Sequence, residues 1–233
     1  YRSQHPADFS EYVMRQGGRQ DSGFPDKWRI DPQFDIADPS RIAVVIHCFY
    51  ADLMPELFDR LRNLPIDFDL FVTNASGADV AVPKDLERMR HSVVVEVENH
   101  GRDIFPTVQL VNSGILNPSD LILKLHTKKS PWREEHADLD GSGAAWKDQF
   151  LSDLVGSREK VEEILNAFAA DPTLGLVTAA DSIVGKDFWG GDQRIVEQLM
   201  LRIEMSINPD ELEFASGSMY WTRAFVLQGL RAF

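Results

Sequence analysis

Two short segments of the chain hold side chains that could act on a phosphate or a sugar. Asn99-His100-Gly101-Arg102-Asp103 sets a glycine, a guanidinium and a carboxylate side by side. Glycine permits a tight turn or a close backbone approach, and the guanidinium is a planar fork matched to phosphate oxygens. The carboxylate can accept hydroxyl protons from a sugar or orient the arginine. His126-Thr127-Lys128-Lys129-Ser130 offers an imidazole, two ammonium groups and two hydroxyls. That inventory is rich in donors and poor in acceptors, as a pyrophosphate requires, yet it lacks the glycines of a P-loop. A plainer reading stands beside each: Asp103 as a helix cap with Arg102 in solvent, and His126 packed inward with both lysines in water.

These segments lie in a stretch whose charge opposes that of the whole. Between Asn99 and Arg133 the basic residues Arg102, Lys124, Lys128, Lys129 and Arg133 face only Asp103 and Asp120, a net of +3 in a chain of −13. A local positive site in an acidic protein suits a small anion, whereas nucleic acid would be repelled by the surroundings. Other arrangements are weaker. His47 and Cys48 are strand neighbours that point to opposite faces, so they cannot pair as base and nucleophile. The six histidines do not fall at metal-ligand spacings. Asp67-x-Asp69 precedes a strand, and Asp138-x-Asp140 lies in a loop well beyond one, so both read as solvated surface. No divalent metal or other cofactor is expected, with magnesium or manganese left open. Phe188-Trp189-Gly190-Gly191 and Gly217-Ser218-Met219-Tyr220-Trp221 combine aromatic faces with small residues, a composition that lines sugar pockets and also fills cores.

The elements that must position these residues follow from hydrophobic period. Residues 1–40 are punctuated by glycine and proline and read as an irregular arm or linker, with one helix over Asp8–Gln16. From Arg41 to Phe233 a single domain is expected. Ile42–Ile46, Leu70–Val72, Leu121–Leu125 and Leu174–Thr178 are short apolar runs suited to buried strands, and Val93-Val94-Val95 begins another. Helical patterns fill Leu53–Leu64, Ile104–Val111, Ala144–Leu154, Ser157–Ala169, Gln193–Met205 and Ala224–Leu230, with Ser157 as an N-cap and Gly114 as a stop. Ser218–Trp221 is extended. Alternating strands and helices predict an α/β fold, a mostly parallel sheet with helices on both faces. Ligands gather at the carboxyl ends of such strands, where His47–Tyr50, Thr73-Asn74, Asn99–Asp103 and His126–Ser130 share one rim.

Composition adds bounds. Hydrophobic residues at 43% and charged residues at 26% are ordinary globular usage. No apolar run approaches the roughly 20 residues of a spanning helix. A lone Cys48 cannot form an internal disulfide and favours a reducing compartment. A start at Tyr1 without methionine leads to the expectation of a longer polypeptide.

The series His47-x-x-Tyr50, Asp69-Leu70-Phe71-Val72-Thr73, Asn99-x-Gly101-Arg102-Asp103, Leu125-His126-Thr127-Lys128-Lys129-Ser130 and Gly217-Ser218-Met219-Tyr220-Trp221 resembles the rhamnan synthesis protein F family of bacterial polysaccharide assembly. The likeness runs from about Arg41 to Leu230. It implies a glycosyltransferase of GT-A-like, Rossmann-like architecture that moves rhamnose or a related deoxysugar from a nucleotide diphosphate donor such as dTDP-rhamnose to a growing surface glycan. The site so implied binds the donor through His47, Tyr50, Thr73, Asn99, Gly101, Arg102, Asp103, His126, Thr127, Lys128, Lys129 and Ser130. Trp189, Gly190, Gly217, Ser218, Met219 and Trp221 would line a sugar or acceptor pocket. Where GT-A enzymes end the fourth strand in Asp-x-Asp, this sequence reads His126-Thr127-Lys128, basic side chains that can neutralise a leaving diphosphate directly. The family continues past the Gly-Ser-Met-aromatic segment into an acidic stretch, so the base is sought here among Asp103, Asp181 and Glu213. The implied partners are the donor, a glycan or lipid-linked acceptor and other domains of a longer chain; the implied place is the cytoplasmic face of the plasma membrane. The alternative is a non-catalytic nucleotide-sugar or glycan-binding module. A phosphohydrolase is disfavoured, since neither a metal cluster nor a nucleophile is in evidence.

Overall fold

The computed structural model describes residues 38–129, 143–202 and 204–232. In chain order its strands are β1 (Ile42–Cys48), β2 (Phe68–Asn74), β3 (Met89–Glu96), β4 (Leu121–His126), β5 (Leu176–Thr178), β6 (Ile183–Val184), β7 (Phe214–Ala215) and β8 (Tyr220–Arg223). The helices are α1 (Met54–Leu61), α2 (Ile104–Ser113), α3 (Gly143–Val155), α4 (Arg158–Ala170), α5 (Gln193–Arg202) and α6 (Ala224–Gln228). Six strands form one sheet in the order β3-β2-β1-β4-β8-β5. β3, β2, β1 and β4 run parallel, and β8 is antiparallel to both its neighbours. β6 and β7 pair separately.

Strands β1, β2 and β4 are buried along their whole length, which is why their sequences are nearly continuous apolar runs. β3 closes one edge and is partly exposed, and Arg90, His91 and Ser92 fall within it. Side chains divide by the period of two. Val44, Ile46, Leu70, Leu123 and Trp221 pack with Leu57 and Phe58 of α1, Leu151 and Leu154 of α3, and Val161 and Ile164 of α4. Ala43, Val45, Phe71 and Ile122 face the other way, onto Leu110 and Val111 of α2 and Ala224 and Leu227 of α6. Each fully buried Leu, Ile or Phe contributes about 1.5–3 kcal/mol. On the α2/α6 face the apolar layer stops short of the carboxyl ends: β1 reads Ala43, Val45, His47, and β4 reads Ile122, Lys124, His126. The polar end of that face is where a site can form.

The expected α/β architecture is present, with shifted boundaries. The helix expected from Leu53 is a 3₁₀ turn at Ala51–Leu53 followed by α1, which ends at Leu61. β3 starts at Met89 because its edge residues pair with β2, His91 opposite Asp69. β5 is confined to Leu176–Thr178, and α5 stops at Arg202. Ser157 caps α4 as expected, its Oγ accepting from the Lys160 N–H at 3.2 Å. Gly114 ends α2 in the left-handed region, φ 80°. The helix expected over Asp8–Gln16, and Asp138 and Asp140, lie outside the described residues. No described helix is long and apolar enough to cross a membrane.

Candidate functional site

At the carboxyl ends of the strands, register sets a row of polar side chains. Thr73 of β2 lies beside His47 of β1, His47 beside His126 of β4, and Lys124 of β4 beside Tyr220 of β8. The Asn99–Asp103 loop reaches this row just before α2. Gly101 and Arg102 both adopt left-handed backbone, φ 63° and 55°. A Cβ on Gly101 would stand 2.4 Å from the Phe105 Cβ, so the loop admits only glycine there. This turn leaves Arg102 exposed and directs Asp103 inward.

Asp103 occupies the N-cap position of α2 without capping it. Its Oδ2 instead accepts from Lys124 Nζ at 2.6 Å and from the Ser218 hydroxyl, with His126 Nδ1 at 3.6 Å. Lys124 Nζ also donates to the Ser218 carbonyl at 2.7 Å and lies 5.7 Å from the centre of the Tyr220 ring. Three segments far apart in the chain therefore meet at one carboxylate oxygen. Among the described residues no donor meets the other oxygen, Oδ1.

The electrostatics follow from burial. Lys124 is wholly buried, which pushes its pKa down while Asp103 pushes back. Burial opposes the charge of Asp103, but the Lys124 ammonium and the hydrogen bonds from Lys124 and Ser218 outweigh it and hold the carboxyl well below the usual range. Burial pushes His47 down to about 4 and His126 down to about 3, so both imidazoles are neutral at pH 7. Lys124 is thus the cation that keeps Asp103 ionised. Burial, and next to it the Asp103 charge, raises the Tyr220 hydroxyl, which stays protonated.

Around this knot the expected residues divide. Thr127 Oγ1 accepts from the backbone N–H of Phe49 at 2.8 Å and of Tyr50 at 2.9 Å, so it fixes the turn after β1. Lys129 pairs with Asp52 at 2.6 Å and lies over the Tyr50 ring at 4.9 Å. Lys128 is half-buried, and its charge reaches His126. Asn99 is exposed, and Ser130 lies outside the described residues. Asp103, Lys124 and Ser218 form the knot itself, while Arg102 and Lys129 are exposed and Lys128 is half-buried.

Other expectations fall elsewhere. Asp181 and Glu213 are exposed beside β6 and β7, with no hydrogen bond or ion pair to Asp103. Trp189 is buried among the 3₁₀ turns of residues 186–192, with Gly190 exposed after it. Met219 and Trp221, expected in a sugar pocket, are core residues: the pleat turns both onto the α1/α3/α4 side, and Trp221 Nε1 donates to the Leu154 carbonyl at 3.0 Å. Asp67 pairs with Arg88 and Arg90, while Asp69 accepts from Ser40 and His91, which makes that Asp-x-Asp structural. Among the described residues no three His, Cys, Asp or Glu come together as metal ligands. A groove of about 360 Å³ between α1 and residues 79–83 shares no lining residue with the Asp103 knot. Sequence reasoning counted Lys124 as charge but not as a site residue. The available signal was a lysine inside Leu121–Leu125, a strand too apolar to leave an ammonium unpaired.

The family model of rhamnan synthesis protein F matches residues 20–233. Curated relatives include a protein of Xanthomonas campestris pv. campestris strain B100 named "Uncharacterized protein WxcX". It is 33% identical over 202 residues, 86% of this chain and 28% of that protein. The protein of the same name from a second strain of that pathovar matches to the same extent. The chain spans about 28% of the length of these curated relatives. No solved structure matches.

Proposed function

The chain belongs to the rhamnan synthesis protein F family and so to polysaccharide synthesis, and we propose that this domain binds a nucleotide diphosphate sugar and transfers its sugar to a glycan. The observation that carries this reading is the convergence on Asp103 Oδ2 of Lys124 and Ser218, which joins the Asn99–Asp103, Leu121–Lys129 and Gly217–Trp221 segments into one site. In it, Arg102, Lys128 and Lys129 neutralise the diphosphate as the glycosidic bond breaks. His47, Tyr50, Thr73 and Thr127 shape the rim, with Asn99 and Gly101 setting the loop. Asp103 Oδ1 accepts a sugar hydroxyl. The parallel sheet with a polar carboxyl-terminal rim supports a GT-A-like assignment, with rhamnose or a related deoxysugar on a dTDP-type donor and a lipid-linked or growing glycan as acceptor. Work at the cytoplasmic face of a bacterial membrane follows from such a donor. Because cations already face the diphosphate, binding and transfer are expected to survive EDTA; loss on chelation with recovery on manganese would redirect attention to Asp138 and Asp140.

A second reading, a non-catalytic nucleotide-sugar or glycan-binding module, is favoured by one observation. Asp103, first among the candidate bases, is held so firmly ionised by Lys124 that it is a weak proton acceptor. Thermal shift with millimolar dTDP, UDP and GDP tests the site, and donor hydrolysis or transfer separates the two readings. No shift with any nucleotide would remove the transferase and the nucleotide-sugar module alike and leave a glycan-binding module.

A further inference from the structure

We infer that His126 presents an acceptor nitrogen, Nε2, to a hydroxyl of the donor's sugar and does not bind the diphosphate. This rests on the donor-site reading above and assigns one contact within it. His126 is 6% exposed, and its Nδ1 is buried without a hydrogen-bond partner. Nδ1 faces Asp103 Oδ2 at 3.6 Å, with the Lys124 and Lys128 charges also acting on the ring. A carboxylate held ionised only accepts, so a lone pair on Nδ1 would face a negative oxygen. The proton therefore sits on Nδ1, and the lone pair on Nε2. His47 differs: its Nδ1 lies 3.0 Å from Thr73 Oγ1, a hydroxyl that can donate or accept and leaves the tautomer open.

A neutral imidazole with its lone pair on Nε2 repels a phosphate oxygen and accepts from an O–H. An imidazolium could donate to phosphate, but burial outweighs the Asp103 charge that favours the second proton, and Lys124, Lys128 and His47 oppose it as well. The phosphate contacts then fall to Arg102, Lys128 and Lys129 at the rim. His126, one layer deeper beside Asp103, faces the sugar. Closing the 3.6 Å gap by a few tenths of an ångström on ligand docking would complete an Nδ1–H···Oδ2 bond and fix the ring.

Nitrogen-15 NMR of the histidine-labelled protein at pH 7, with His126→Gln as the assignment control, reads the tautomer without any ligand. We expect the proton on Nδ1; a proton on Nε2, or on both nitrogens, overturns the inference. Titration calorimetry with dTDP and dTDP-rhamnose reads the contact. His126→Ala should bind dTDP as the wild type does, which also shows that it folds, and bind dTDP-rhamnose about tenfold more weakly. His126→Gln places an amide oxygen within the reach of Nε2 and should recover part of that loss. Equal losses for dTDP and dTDP-rhamnose, or none for either, overturn the inference. A wild-type protein that binds neither overturns the donor-site reading itself, a result the NMR experiment keeps distinct.

Discussion

Lys124 Nζ lies 2.6 Å from Asp103 Oδ2 with the lysine side chain 1% exposed, so this ion pair ties the interior of β4 to the loop that opens α2. Its attraction is offset by the cost of removing both charges from water, and the net gain of such a pair over apolar residues is small. Breaking one partner is another matter. The survivor is left charged and buried, with Ser218 as its remaining partner.

Lys124→Met and Asp103→Leu should therefore each destabilise the domain by about 3–5 kcal/mol, read by urea unfolding. The double variant should be more stable than either single one, because neither charge is then stranded. Additive losses in the double variant would show that the two groups do not depend on each other.

Acid should weaken the fold from near pH 6 downward. His47 and His126 are held neutral in the folded state, down to about 4 and about 3, and take up protons near pH 6.5 when unfolded. Between about pH 6 and pH 4 the unfolded state thus binds roughly two more protons, and stability falls by about 2.7 kcal/mol per pH unit. Below about pH 4 the loss continues, because the depressed Asp103 carboxyl stays ionised in the folded state while its unfolded counterpart protonates. His47→Gln and His126→Gln should each remove about half of the slope above pH 4. A slope unchanged in both variants would place the acid sensitivity elsewhere.

The buried strands were largely legible in the sequence because a strand covered on both faces is written as a near-continuous apolar run, as in Ile42–Ile46 and Leu121–Leu125. Their order in the sheet, with β8 antiparallel between β4 and β5, was not. β6 and β7, at two residues each, are too short to show a period. The rim segments were legible from their residue types. The direction of individual side chains was not, since the pleat separates Ser218 and Tyr220 from Met219 and Trp221, and an aromatic looks the same in a core as in a pocket. Lys124 was visible as an anomaly, but its partner lies 21 residues away and depends on the left-handed turn at Gly101-Arg102.

Arg102 and Lys128 separate a phosphate site from a merely charged surface. Ligand at 100 times its Kd adds about 2.7 kcal/mol to stability, a melting shift that is simple to measure. Arg102→Ala and Lys128→Ala should keep stability within about 0.5 kcal/mol without ligand, since neither belongs to the buried knot. Both should lose most of the dTDP-induced shift, and turnover, where transfer is detected, should fall about a hundred- to a thousandfold. Lys84→Ala, an exposed position, controls for the change in net charge. Variants that bind dTDP as the control does would show that the diphosphate lies elsewhere.

Gly101 tests whether the loop or the carboxylate alone makes the site. Its φ of 63° costs an alanine about 1–2 kcal/mol, as at any left-handed position. Gly77, at φ 72° and with nothing within 4 Å of a Cβ, isolates that cost. At Gly101 the new Cβ also meets the Phe105 Cβ at 2.4 Å, closer than two such atoms can stand, so the first turn of α2 must move. Overpacking of this kind adds about 1–3 kcal/mol. Asp103 lies between the two clashing residues, so the shift carries its carboxylate away from Lys124 and Ser218. Gly101→Ala should then lose both stability and dTDP binding, and the pH dependence below pH 4 should shrink as Asp103 moves back toward an ordinary carboxyl. Gly77→Ala should lose about 1 kcal/mol and bind dTDP normally. If the two variants unfold and bind alike, the turn at Gly101 does not hold Asp103 in place, and the carboxylate is positioned by Lys124 and Ser218 alone.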